Sequence, residues 1–145
     1  MKRKILYFLL IVFAIIQFKG IDKTNPDSTK SDDFFAVNKA PEATEALIRT
    51  ACYDCHSHES VYPWYSNIAP VSWWLGDHIE EARKHLNFST WNQLTADKKD
   101  HKLEECIEMV EGKEMPMLPY MIAHTDAWLS QEDRDGLVSF FSSIR

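Results

Sequence analysis

The sequence predicts an all-α domain of about four helices behind an N-terminal hydrophobic anchor, and three observations predict it. Between residues 40 and 145, apolar side chains recur in separate stretches at the spacing of one buried helical face. No strand pattern precedes the cysteine pair near residue 50. Residues 1–4 (MKRK) are basic, and Ile5 to Phe18 follow as an apolar run broken only by Gln17. At 145 residues the chain holds one domain with a single core plus this appendage.

The apolar run is 14 residues, ~21 Å of helix against a hydrocarbon core of about 30 Å, which matches a signal-peptide h-region better than a full span. Its exit, Gln17-Phe18-Lys19-Gly20, carries no small-x-small cleavage site. Residues 1–19 are therefore read as an uncleaved signal-anchor ahead of a cleaved signal peptide. The basic end favours the cytoplasmic side, which puts the rest of the chain on the periplasmic face of the inner membrane. Gly20 to Asp33 is polar, contains Pro26 and has no periodicity, so residues 20–39 read as a flexible tether. Phe34, Phe35 and Val37 begin the ordered part as an extended lead-in.

The domain over residues 40–145 starts at Pro41, suited to a first helical position, with Glu42 and Glu45 in the first turn where carboxylates favour the dipole. Leu47, Ile48, Ala51, Cys52 and Cys55 share one apolar face. That face delivers two cysteines inward. They belong to Cys52-Tyr53-Asp54-Cys55-His56, the attachment signature of c-type haem. On one turn of helix the two thiols can add across the two vinyl groups of a single porphyrin while the next imidazole sits beneath the iron. Cys52 and Cys55 would anchor one covalent haem c, and His56 would ligate its iron. Two other chemistries share this pattern: a dithiol redox pair, which calls for a preceding strand, and a zinc site, which would conscript His58 and Cys106 without the usual spacing.

Val61 to Trp74 reads VYPWYSNIAPVSWW, with five aromatics and two prolines. Beside CYDCH it is suited to wrapping a flat apolar macrocycle, and a carbonyl near Pro63 or Pro70 could accept from the distal ring nitrogen of His56. Pro70 opens a second helix to about Leu86, with Val71, Trp74, Leu75, His78, Ile79 and Ala82 on its buried face and Gly76 a mild break. His78 is a candidate second axial ligand or a hydrogen-bonded core histidine. Arg83, Lys84 and His85 either meet haem propionates or face solvent. Asn87 to Trp91 is a turn in which Ser89 can cap a short segment. Thr95 then caps a helix ending near Glu111, with Gly112 in the position that favours left-handed geometry. Leu103, Cys106, Ile107 and Val110 form its stripe, with Cys106 a small buried hydrophobe.

Glu114 to Met121 (EMPMLPYM) reads as a loop with three methionines and two prolines. A thioether is a soft sixth ligand for haem iron that raises its potential and closes the site to small molecules. Met115, directly before Pro116, is the first choice, Met117 the runner-up and Met121 the third, with His124 a further candidate. Ser130 caps a terminal helix with carboxylates in its first turn and Leu137, Phe140, Phe141 and Ile144 on its stripe. Residues 31–145 hold ten Lys and Arg against twenty Asp and Glu, a net of −10 that excludes nucleic acid as a partner. No phosphate loop, serine triad or paired carboxylates point to an enzyme.

The order helix, CxxCH, proline-bearing aromatic loop, helices, Met-Pro loop, Leu-Ser-x-Glu and final amphipathic helix resembles a class I cytochrome c over roughly residues 40 to 145. More closely, CYDCHS, YPWYSNIAPVSWW, HLNFS, GKEMP and Ala123-His124-Thr125-Asp126-Ala127 are similar to the small bacterial haem-binding domain proteins. The resemblance implies a cytochrome c-like bundle, thioether attachment at Cys52 and Cys55, His56 as proximal ligand and Met115 as the Met-Pro methionine. The aromatic insert is longer and richer here than in ordinary class I proteins. The expectation is a monohaem electron carrier serving redox partner proteins, with a haem-based sensor or peroxidase-like enzyme as the alternative.

Overall fold

The computed structural model describes residues 2–145. Helix α1 (Lys2–Ile16) is followed by an irregular stretch, a 3-10 turn (Lys30–Asp32) and the short helix α2 (Phe34–Val37). Helix α3 (Glu42–Ile48) runs without a break through a π-turn (Arg49–Tyr53) into α4 (Asp54–His56). A 3-10 turn (Trp64–Asn67) leads to α5 (Val71–His85), and a second (Phe88–Gln93) to α6 (Ala96–Glu111). Helix α7 (Leu118–Ala123), a 3-10 turn (Thr125–Ala127) and α8 (Gln131–Ile144) complete the chain. The described residues form an all-α fold without strands.

The core lies where α6 packs on α8 and α3 crosses α8. Ile48, Leu103, Val110, Leu137 and Phe141 supply one side of it, and Phe88 and Trp91 close the other. At the centre stands Phe34, wholly buried, its ring centroid 5.0 Å from Trp91 and 5.1 Å from Phe88 in edge-to-face contacts. Two sequence expectations give way here. Residues 34–37 are a helix capped by the Asp33 carboxylate, which accepts from the Phe35 backbone N–H, and are not an extended lead-in. Residues 20–39 are likewise no free tether throughout, because Phe34 is the hub of the core.

The local signals of the longer helices hold. Thr95 and Ser130 cap α6 and α8 through their hydroxyls, the latter in a reciprocal box with Asp133. Hydrogen bonds from Ser130 hold the Asp133 carboxyl below the usual carboxylate range. At the end of α6 the left-handed residue is Lys113 (φ 59°), not Gly112. Gly112 is closely fitted for a different reason: a Cβ there would stand 3.0 Å from the Glu108 carbonyl, which accepts the Gly112 N–H, and that carbonyl would have to shift slightly. Ser89 does not cap; Asn87 does, accepting from the Ser89 N–H. The methionine loop is shorter than expected because Leu118 to Ala123 coil into α7, whose Pro119 lies in the first turn where no N–H is missed.

Helix α1 is 15 residues, about 22 Å at 1.5 Å per residue. Its apolar side chains are exposed except for the half-buried Ile16, and among the described residues no helix is long and apolar enough to cross a membrane.

Candidate functional site

The CYDCH segment lies at the end of the α3–α4 column, and the π-turn Arg49–Tyr53 widens the helix through its first two residues, Cys52 and Tyr53. Such bulges are rare and recur at functional sites. The turn splits the cysteines between two environments. Cys52 packs against the aromatic core, and Cys55 lines a separate cavity of about 210 Å³. Both are free thiols, and burial is the leading cause that pushes Cys52 up to about 12 and Cys55 up to about 11. Dithiol exchange needs a stabilised thiolate, so this environment works against redox-pair chemistry.

His56 is oriented from behind. Its Nδ1–H donates to the carbonyls of Ala82 and Leu86, each at 3.2 Å, and Nε2 has no hydrogen-bond partner among the described residues. These acceptors stand at the end of α5, where Leu86 is the C-cap and the Ala82 carbonyl accepts its N–H as well. The carbonyl contact expected near Pro63 or Pro70 is therefore supplied by α5 instead. Burial holds the imidazole below the usual histidine range. A neutral ring with Nδ1 pinned and Nε2 free is the form that binds a metal.

The cavity is walled by α5 and α7. Val71, Trp74, Leu75 and His78 come from one face of α5, and Met117, Pro119, Tyr120 and Ala123 from α7 and its approach. Tyr65 closes the side. Of the sixth-ligand candidates, Met117 and His78 reach the lining. Met115 does not: its N–H donates to the Met109 carbonyl and its carbonyl accepts from Arg134 Nη1 at 2.8 Å. Met121 is buried within α7, and the Trp128 indole donates to its carbonyl at 2.7 Å. His78 points Nδ1 at the Trp74 carbonyl, one turn back, at 2.8 Å. His124 is held by Tyr65, with Nε2 2.8 Å from the hydroxyl, and its ring stacks on Tyr120.

Several positioning residues carried no signal beyond their type. Asp54, inside the motif, accepts from the Val61 N–H with one oxygen and from the Tyr120 hydroxyl with the other, tying the loop after His56 to α7. Burial and that carboxylate together push the Tyr120 hydroxyl well above its usual range. Arg83 is half-buried and turned onto the protein. Its guanidinium donates to the Ser57 carbonyl (2.8 Å), the Ser60 hydroxyl (2.9 Å) and the Asn25 side chain (2.8 Å). Lys84 pairs with Glu80 and His85 with Glu81, so this basic turn is spent on the protein's own groups.

The zinc grouping is not assembled. His58 Nε2 faces Asn87 at 2.7 Å, and among the described residues no cluster of three or more His, Cys, Asp or Glu could hold an ion. The residues present fit haem better. One thiol opens onto an apolar cavity, the other lies three residues earlier on the same column, a neutral imidazole is pinned at Nδ1, and a thioether faces in across the cavity. A search of characterised proteins and one of solved structures find no match to this chain. The family model described as haem-binding domain matches residues 11–143, nearly the whole chain, and the protein belongs to that family.

Proposed function

We propose that this haem protein is a c-type monohaem electron carrier, tethered by α1 to the periplasmic face of the inner membrane and serving redox partner proteins without transforming a substrate. The observation that carries the reading is the state of His56, with Nδ1 committed to two carbonyls and Nε2 engaged by none of the described residues. When bound, haem supplies a one-electron couple at its iron. The chain's residues do the rest. Cys52 and Cys55 attach the macrocycle, and His56 holds the proximal position in a fixed tautomer. The apolar walls from α5 and α7 exclude water, which favours the less charged reduced state and raises the potential.

For the sixth position the geometry supports Met117, the runner-up in the sequence, over Met115. Met117 faces the cavity, whereas the backbone of Met115 is used to receive Arg134 and to close the α6 turn. The matured protein is expected to be low-spin and indifferent to carbon monoxide when reduced. Met117→Ala should open the iron to carbon monoxide, and Met115→Ala should not. Opening by Met115→Ala alone would reverse the assignment. A sensor or peroxidase-like enzyme with an open sixth position is the second reading, favoured by the His78 imidazole and Tyr65 on the cavity wall. Carbon monoxide binding to the unmutated reduced protein would select it.

A further inference from the structure

The segment that joins α1 to the domain is strapped down. Gln17 clasps Ala69 twice, its amide N–H donating to the Ala69 carbonyl at 3.0 Å and its oxygen accepting the Ala69 N–H at 2.9 Å. The Trp73 indole donates to the Lys19 carbonyl at 2.7 Å, and the Lys19 ammonium lies 5.5 Å from the centre of the Trp73 ring. Ile21 seats against Gly76, where a Cβ would meet its side chain at 3.2 Å. Lys23 reaches Asn67, and Asn25 ties to Ser60 and Arg83. The residues directly after α1 are thus fixed to Ala69 and to the first two turns of α5.

Around that junction lie exposed apolar side chains. Phe18, next to the clasp, is 93% exposed, and Ile68, Val71 and Trp74 are 36%, 44% and 41% exposed. Val71 and Trp74 also line the cavity, so the exposed patch and the cavity wall share one face at the N-terminal end of α5. On the same helix Trp73 and Gly76 form the neighbouring face, covered by the strap.

We propose that this patch rests on the interface of the bilayer that α1 enters, so that the cavity opens at the membrane surface; this rests on the reading of α1 as an anchor. Three observations name a bilayer as the occupant. The patch is continuous with α1, whose apolar side chains are exposed from Ile5 to Ile15. At about 22 Å, α1 is shorter than a hydrocarbon core of about 30 Å, and a short span draws its flanking residues into the interface. Trp73, Trp74, Lys19 and Lys23 at its end are the residue types that sit at headgroup level. The nearby acid Asp22 turns its carboxylate onto the Thr24 backbone N–H at 2.8 Å. The rigid strap also limits how far the domain can lift away. A partner meeting the haem would therefore do so at membrane level.

The test uses the full, haem-loaded chain in vesicles of phosphatidylethanolamine and phosphatidylglycerol doped with a phospholipid bearing a photoactivated diazirine near its headgroup. Labelled peptides are then read by mass spectrometry. The expected result is label in α1 and in residues 64–76, with none in α8, which packs on α6 and α3. Phe18→Asp combined with Ile68→Asp should remove the label from 64–76 while leaving the label in α1 and the haem spectrum unchanged. Label confined to α1 in the unmutated protein would overturn the docking and leave the anchor standing. Absence of label from α1 would overturn the anchor itself. Label persisting at 64–76 in the double variant, or cross-links joining that segment in two copies, would also overturn the docking.

Discussion

Replacing Phe34 by alanine is expected to destabilise the domain by about 3–5 kcal/mol, the range for truncating a fully buried aromatic. The side chain has no exposure and meets Phe35, Phe88, Trp91, Phe140 and Phe141, so its loss leaves a cavity bounded by rings from three parts of the chain. Those rings are held by α2, α8 and the turn before α6, and they cannot collapse onto the space without moving a helix. Urea denaturation followed by far-ultraviolet circular dichroism measures the effect. A loss below about 1 kcal/mol, the cost of an exposed substitution, would mean that α2 is not part of the core. A fragment starting at residue 40 lacks this hub and is expected to fold poorly for the same reason.

His56→Ala is expected to change the spectrum completely while leaving the haem attached. Cys52 and Cys55 are untouched by that substitution, so the thioethers persist, but the iron loses the imidazole that α5 orients through Ala82 and Leu86. The low-spin bands should give way to a high-spin spectrum, and carbon monoxide should bind the reduced form. Absorption of the matured variant, native and after denaturation, measures both halves. An unchanged low-spin spectrum would transfer the proximal role to another side chain, with His78 the first to examine because it lines the cavity.

Which features the sequence made legible follows from the range of the forces involved. Thr95 and Ser130 were readable because a cap acts within three residues of its own position. CYDCH stood out as a motif because its residues are adjacent in the chain. Phe34 was not, since a four-residue helix between polar segments has no periodicity, and only its contacts with Phe88, Trp91 and α8 make it central. The partner of His56 was not readable because backbone carbonyls have no side-chain signature, and the end of α5 could be found only by folding it there. Met117 and Met115 look alike in a proline-rich loop. They are separated by the start of α7 at Leu118 and by the hold of Arg134 on the Met115 carbonyl. The strap at Gln17 to Asn25 was hidden by its polar composition, which reads as a linker although its side chains reach Ala69, Ser60 and Arg83.

The central claim is that haem is joined covalently to Cys52 and Cys55. The direct measurement is the intact mass and the reduced absorption spectrum of the full chain, exported in a host competent for c-type maturation and then extracted with acidified acetone. The account predicts a single haem retained on the polypeptide with low-spin bands, and its loss to the solvent in Cys52→Ser with Cys55→Ser. Haem that leaves the unmutated chain on extraction, or a chain that carries none, would contradict it.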